Sequence, residues 1–163
     1  MGVMVRQSGR RAKALSRRVD ISWGWHGHGR GVTGKLWVMI DVDKQIEFWR
    51  AGSEEDLAVA RELVGWGRIR HGLFFLHLSL EKSLKAHVCR VTRDLAPRMH
   101  NLVRLAELAD VRFSQEQVGT LAEMNAFNIE GRYPELLLPP PTPAETQGYL
   151  IQAEGILEWL NRR

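Results

Sequence analysis

The stretch HGLFFLHLSLEKSLKAHVCRV, residues 71–91, decides how the rest of the chain is read. At 100° per residue, Leu73, Leu76, Leu80, Leu84, Val88 and Val91 fall in one stripe, which predicts an α-helix. Phe74, Phe75 and Leu78 lie outside that stripe, so the first half is apolar nearly all round. A helix of this kind is central, covered by neighbours on more than one side, or sits at an oligomer interface. The second half turns amphipathic, with Glu81, Lys82, Lys85 and Arg90 off the stripe. Glu81 and Lys85 stand four apart, which reads as a helix-surface ion pair contributing about 0.3 kcal/mol. His77 and His87 fall within the stripe and are expected to be core or interface histidines, hydrogen-bonded because burial demands it.

Working outward, helical signals continue on both sides. Toward the N-terminus, Asp41–Arg50 carries Ile46 and Trp49, and Ser53 with Asp56 resembles a capping box opening a second run through Leu57, Ala60, Leu63 and Val64. One bent helix or two remain open at this point. Toward the C-terminus, Thr92–Met99 is a connection containing Pro97, and His100–Ala109 predicts a short helix through Leu102, Leu105 and Ala106. Ser114 and Gln117 form a capping box for a helix reaching about Gly131. The tract Leu138-Pro139-Pro140-Pro141 is a stiff extended link. Thr142, Pro143 and Glu145 then supply N-cap, first-turn proline and capping-box acid for a last helix to Asn161. Four substantial helices and a short one, joined by short loops, predict an all-α antiparallel four-helix up-down bundle.

The 163 residues suit one domain with a real core. A single cysteine, Cys89, excludes a disulfide scaffold and reads as a reduced thiol of a cytoplasmic protein. No run approaches the length of a membrane span. The net charge of +4 is uneven, with +7 in residues 1–38 and −3 in residues 39–163. The basicity therefore belongs to the N-terminal segment, and the remainder offers no broad phosphate-binding surface. Residues 1–38 are broken by Gly24, Gly27, Gly29, Gly31 and Gly34, and are expected to be a disordered basic tail before a domain at 39–163. Residues 1–19 are Arg-rich like a transit peptide but lack its helical moment, and no apolar run makes a signal peptide. His26 and His28 lack a third fixed ligand, so no metal and no cofactor are expected. Helical periodicity starts just after Met39, so a natural start at Met39 is an alternative that the intact mass of the native protein would decide.

Three segments carry a resemblance. Leu80-Glu81-Lys82-Ser83-Leu84-Lys85-Ala86, then Pro97-Arg98-Met99-His100-Asn101-Leu102, then Arg132-Tyr133-Pro134 together resemble the HEPN domain family, in order and over roughly residues 41–160. The resemblance implies an antiparallel helical bundle that dimerises, here along helix 71–91, and a prokaryotic role beside a small nucleotidyltransferase in a toxin–antitoxin or defence pair. Several branches of that family are metal-independent ribonucleases marked by Arg-x(4–6)-His, which Arg93 and His100 match at the longest spacing. The further polar, His and Tyr positions of the stronger toxin branches are missing, since Asn101-Leu102 follows.

The chemistry would be coherent. RNA cleavage without metal needs a base for a 2′-hydroxyl proton, supplied by His100, and a cation for the phosphorane charge, supplied by Arg93 or the competing Arg98. His100 is expected at a helix start, where the dipole favours the neutral ring. The other class of function is a non-catalytic nucleotide-binding or protein-interaction module, in which Lys82, Lys85, Arg98 and Tyr133 would contact a nucleotide.

Overall fold

The computed structural model describes residues 18–22, 35–39, 41–130 and 139–163. They fall into two units, Met1–Asp41 and Val42–Arg163. In the first, β1 (Arg18–Ser22) pairs antiparallel with β2 (Lys35–Met39), Arg18 opposite Met39 and Ser22 opposite Lys35. The sequence reading expects no regular structure there. Polar and apolar residues do alternate from Arg18 to Ser22, but over five residues in a glycine-rich setting, where periodicity is a weak signal. His26 and His28 lie outside the described residues.

The second unit is the expected helical bundle. It comprises α1 (Val42–Gly65), α2 (Ile69–Thr92), the short α3 (Leu102–Leu108), α4 (Gln115–Glu130) and α5 (Pro143–Asn161). Helix α2 is its axis and packs against each of the other four. Leu73, Leu76, Leu80 and Leu84 are fully buried, and each contributes roughly 1.5–3 kcal/mol by leaving water. From Leu73 to Val88 the stripe that could have faced a second copy is thus covered by the chain itself, and Val91 at its end is exposed. Among the described residues no helix is long and apolar enough to cross a membrane. Cys89 is buried and unpaired, and burial pushes its thiol pKa up.

Helix α1 runs unbroken through Gly52-Ser53, which settles the question of one helix or two and corrects the capping reading of Ser53. The Ser53 hydroxyl donates to the Ser79 carbonyl at 2.8 Å, and the Ser79 hydroxyl donates to the Ser53 carbonyl at 2.8 Å. This reciprocal pair satisfies two buried hydroxyls where α1 and α2 meet. Close approach continues at Gly72, where an added Cβ would stand 2.6 Å from Val64 Cγ2. The helices are joined by a Schellman turn: Gly67, at φ +71°, donates to Val64 and Arg68 donates to Leu63.

The other caps are mostly those read from local sequence. Ser114 and Gln117 exchange backbone and side-chain hydrogen bonds, and Thr142 with Glu145 forms the complete box ahead of Pro143. Helix α3 differs. Its N-cap is Asn101, which accepts from the Arg104 amide at 2.9 Å, so His100 stands outside the helix. Helix α2 ends on Arg93, which takes the left-handed conformation at φ 53°.

At the far end of α2, His87 is buried and accepts at Nδ1 from Arg90, 2.7 Å away, while the ring also bonds the Leu160 carbonyl of α5. Burial, with the charges of Arg90, Arg50 and Arg163, pushes the His87 pKa down to about 4. The folded protein therefore holds a neutral ring at a pH where the unfolded chain takes up a proton. Stability contributed here is complete above pH 6.5 and falls as pH drops from 6.5 toward 4, by about 2 kcal/mol. Urea unfolding at pH 7.5 and pH 4.5 should show this loss in the wild type and a much smaller one in His87→Gln. Equal losses in the two proteins would contradict it.

Candidate functional site

The first half of α2 is apolar on every side, so a polar residue that follows on the same turns is carried inward with it. Glu81 and Lys85 share that fate. Rather than the surface pair expected from their spacing, they are buried, with side chains only 5% and 7% exposed. Lys85 Nζ donates to Glu81 Oε1 at 2.7 Å and stands 5.0 Å from the centre of the Trp49 ring of α1. A buried ion pair persists only if its remaining hydrogen-bonding capacity is met. Here the second oxygen supplies it.

Glu81 Oε2 faces two imidazoles. One turn earlier on α2, His77 places Nε2 3.4 Å away, while its Nδ1 donates to the Met124 carbonyl of α4 at 3.1 Å. From the connection between α2 and α3, His100 donates Nδ1–H to Oε2 at 2.9 Å. Burial pushes the Glu81 carboxyl up, but His77, Lys85 and His100 outweigh it and hold the pKa down at about 2. The carboxylate is therefore ionised throughout the physiological range. Among the described residues, no set of three or more His, Cys, Asp and Glu side chains is arranged to hold a metal ion.

His100 itself is 49% exposed. One ring nitrogen is fixed from inside and the other edge of the ring is accessible. Its surroundings differ from those expected, since a carboxylate rather than a helix terminus faces the imidazole. Asn101 and Asn125 fasten the start of α3 beside it: the Leu102 amide donates to Asn125 of α4 at 2.8 Å. Arg98, two residues earlier, is exposed. Arg93 is directed at α1, where it makes two hydrogen bonds to Asp43 at 2.7 and 3.2 Å and lowers the Asp43 pKa. Lys82 is half-buried, pairs with Asp56 at 2.7 Å and donates to the Gly52 carbonyl at 3.3 Å. Tyr133 lies outside the described residues.

The structure thus groups His100 with Glu81, Lys85 and His77, and gives Arg93 and Lys82 partners on α1. Sequence reasoning missed Glu81 and His77 as site residues. The available signal was the all-round apolar character of the helix that carries them, which leaves an acid little access to solvent.

A helical bundle organised on a polar-cored central helix, with a histidine offered at its corner, defines a class of small helical domain. The HEPN domain model matches residues 46–163, and the chain belongs to the HEPN family. Two solved structures share the fold. TT1696 from Thermus thermophilus aligns with a TM-score of 0.61 at 21% identity, over 72% of this chain and 97% of that one. ST0689, an archaeal HEPN homologue, aligns with a TM-score of 0.55 at 19% identity, over 76% and 97%. No curated protein matches the chain.

Removing one partner of a buried pair leaves the other charge uncompensated, at a cost of about 3–5 kcal/mol. Glu81→Gln is therefore expected to lose stability on that scale, whereas His100→Ala, on a half-exposed ring, should lose only about 1 kcal/mol. Denaturant midpoints of the two variants test the contrast. Equal, small losses would show that the buried pair is not a structural keystone.

Proposed function

We propose that this HEPN domain protein is a metal-independent endoribonuclease of a toxin–antitoxin or defence pair, with His100 as its general base. The observation that carries the reading is the half-exposed His100 ring tied through Nδ1 to a buried carboxylate. With Nδ1 donating, Nε2 keeps its lone pair and can remove the proton from an RNA 2′-hydroxyl. The 2′-oxygen then bonds to the adjacent phosphorus, the bond to the 5′-oxygen breaks, and the leaving oxygen takes a proton from water. The products are a 2′,3′-cyclic phosphate and a 5′-hydroxyl.

A cation must meet the charge that builds on phosphorus. Of the two arginines expected to compete for this role, Arg93 is engaged by Asp43 and Arg98 is exposed beside His100 in sequence, so Arg98 takes the role in this proposal. The second reading, a non-catalytic module binding a nucleotide through Lys82, Lys85, Arg98 and Tyr133, is the less favoured. Lys82 and Lys85 already have carboxylate partners within the chain, and Arg98 alone of the four is both described and solvent-facing.

Incubation of pure protein with single-stranded RNA in excess chelator is the test. Cleavage to cyclic-phosphate ends, lost by about a hundredfold or more in His100→Ala and reduced in Arg98→Ala, supports the proposal. Undiminished cleavage by His100→Ala defeats it, and a nucleotide-induced rise in melting temperature without cleavage would favour the second reading.

HEPN domains commonly dimerise, and we extend this to the present chain. Because the α2 stripe is spent inside the bundle from Leu73 to Val88, the seam in this proposal falls on α1 rather than along helix 71–91. Phe48 and Val59 on α1, and Trp66 just past its last residue, are 65%, 36% and 71% exposed and recur at helical spacing on one side. Sedimentation should find a dimer at micromolar concentration that Trp66→Glu weakens by about tenfold or more; a wild-type monomer would exclude it. A small nucleotidyltransferase partner, implied by the family alone, is proposed on that basis and tested by co-purification.

A further inference from the structure

The buried cluster behind His100 is larger than a base needs for support, and its connectivity is asymmetric. Glu81 Oε1 is occupied by Lys85, and Oε2 accepts from His100, with His77 Nε2 standing 3.4 Å away and without a hydrogen-bond partner. The carboxylate cannot turn away from this orientation without stripping Lys85 of its acceptor in a buried site. It presents an acceptor, and only an acceptor, toward His100 Nδ1. His77 faces the same oxygen and is itself anchored to the Met124 carbonyl of α4, which fixes its ring from the opposite side. Helix α2 and the connection before α3 therefore meet at one oxygen atom, and α4 is tied to the cluster through His77.

We infer that Glu81 is a positioning residue that selects the Nδ1–H tautomer of His100, and that Lys85 holds the Glu81 carboxylate in the orientation that makes this selection. The inference rests on the ribonuclease reading for its kinetic consequence, but not for the tautomer itself. A neutral imidazole has one proton and two nitrogens, and only the form protonated at Nδ1 offers a basic Nε2 outward. Without the carboxylate the ring would distribute between both forms and turn more freely. Lys85, buried on the axis of the bundle, never needs to touch substrate to matter.

A conservative change makes the logic sharp. In Glu81→Gln, Lys85 still requires an acceptor, so the amide oxygen turns to Lys85 and the amide NH₂ turns to His100. The Nδ1 atom must then accept, and the proton moves to Nε2, where it blocks the base. Nitrogen-15 imidazole spectra, recorded on the neutral ring and assigned by the loss of signal in His100→Ala, read the tautomer directly. The expected result is Nδ1–H in the wild type and Nε2–H in Glu81→Gln, with kcat for single-stranded RNA lower by about a hundredfold and KM changed by less than about threefold.

Should Glu81→Gln fail to fold, Glu81→Leu/Lys85→Met replaces the pair with apolar side chains of similar bulk, a kind of replacement that folded proteins often tolerate. That variant is expected to show a mixture of tautomers and the same loss of kcat. A wild-type ring protonated at Nε2, or a folded variant that keeps both the Nδ1–H form and full kcat, overturns the inference. Failure of the ribonuclease reading is distinguishable, because RNA cleavage unaffected by His100→Ala would leave the spectroscopic result standing.

Discussion

A carboxylate withdrawn from water must be answered by protons from its own chain, and Glu81 is answered from two directions, with a second imidazole close by. Lys85 closes one oxygen from the next turn of the same helix; His77 and His100 approach the other. None of these contacts makes sense alone. The ammonium of Lys85 is buried only because the carboxylate is there, and the carboxylate is tolerable only because the ammonium and the His100 N–H meet its lone pairs. The connection that follows α2 returns His100 to the helix it has just left, so the polar core of α2 helps to place the start of α3.

That constraint explains why the central helix carries so many polar groups. Ser79, Glu81, Ser83, Lys85 and His87 are all buried within a helix that supplies much of the apolar core. Each described contact has a specific structural use. Ser79 fastens α1 through Ser53, Glu81 gathers the site, and His87 with Arg90 reaches the end of α5. One face of α2 is devoted to volume and the others to directional bonds, which gives neighbouring helices a defined register rather than only a greasy surface to rest on.

How much of this was legible beforehand depends on the range of each interaction. The leucine spacing from Leu73 to Leu84 announced the bundle, because periodicity is a property of a single segment. The boxes at Ser114 and Thr142 were readable for the same reason, since their partners lie three residues away. Ser53 with Asp56 presents the same local pattern but serves otherwise, because Ser79, 26 residues on, offers the hydroxyl a better partner within a continuous helix. Glu81 and Lys85 have the spacing of a surface pair, and spacing says nothing about burial. The bond from His100 to Glu81 spans 19 residues and depends on how the chain turns after Arg93, which no short pattern encodes. His100 itself was visible; what stands behind it was not.

The contact between α1 and α2 carries a consequence for how such sequences diverge. Where Gly72 lies against Val64, the space for a methyl group at one position is already filled by the other. Where the Ser53 and Ser79 hydroxyls each donate to the backbone carbonyl of the other residue, both bonds need the two helices to stay close, which a larger side chain at either position would oppose. These sites behave as coupled characters: a lineage that enlarges one member is under pressure to revise the second before the first can become established. Related chains should therefore differ at such positions by joint replacement, leaving the spacing of the two helices inherited while the residues that set it change hands.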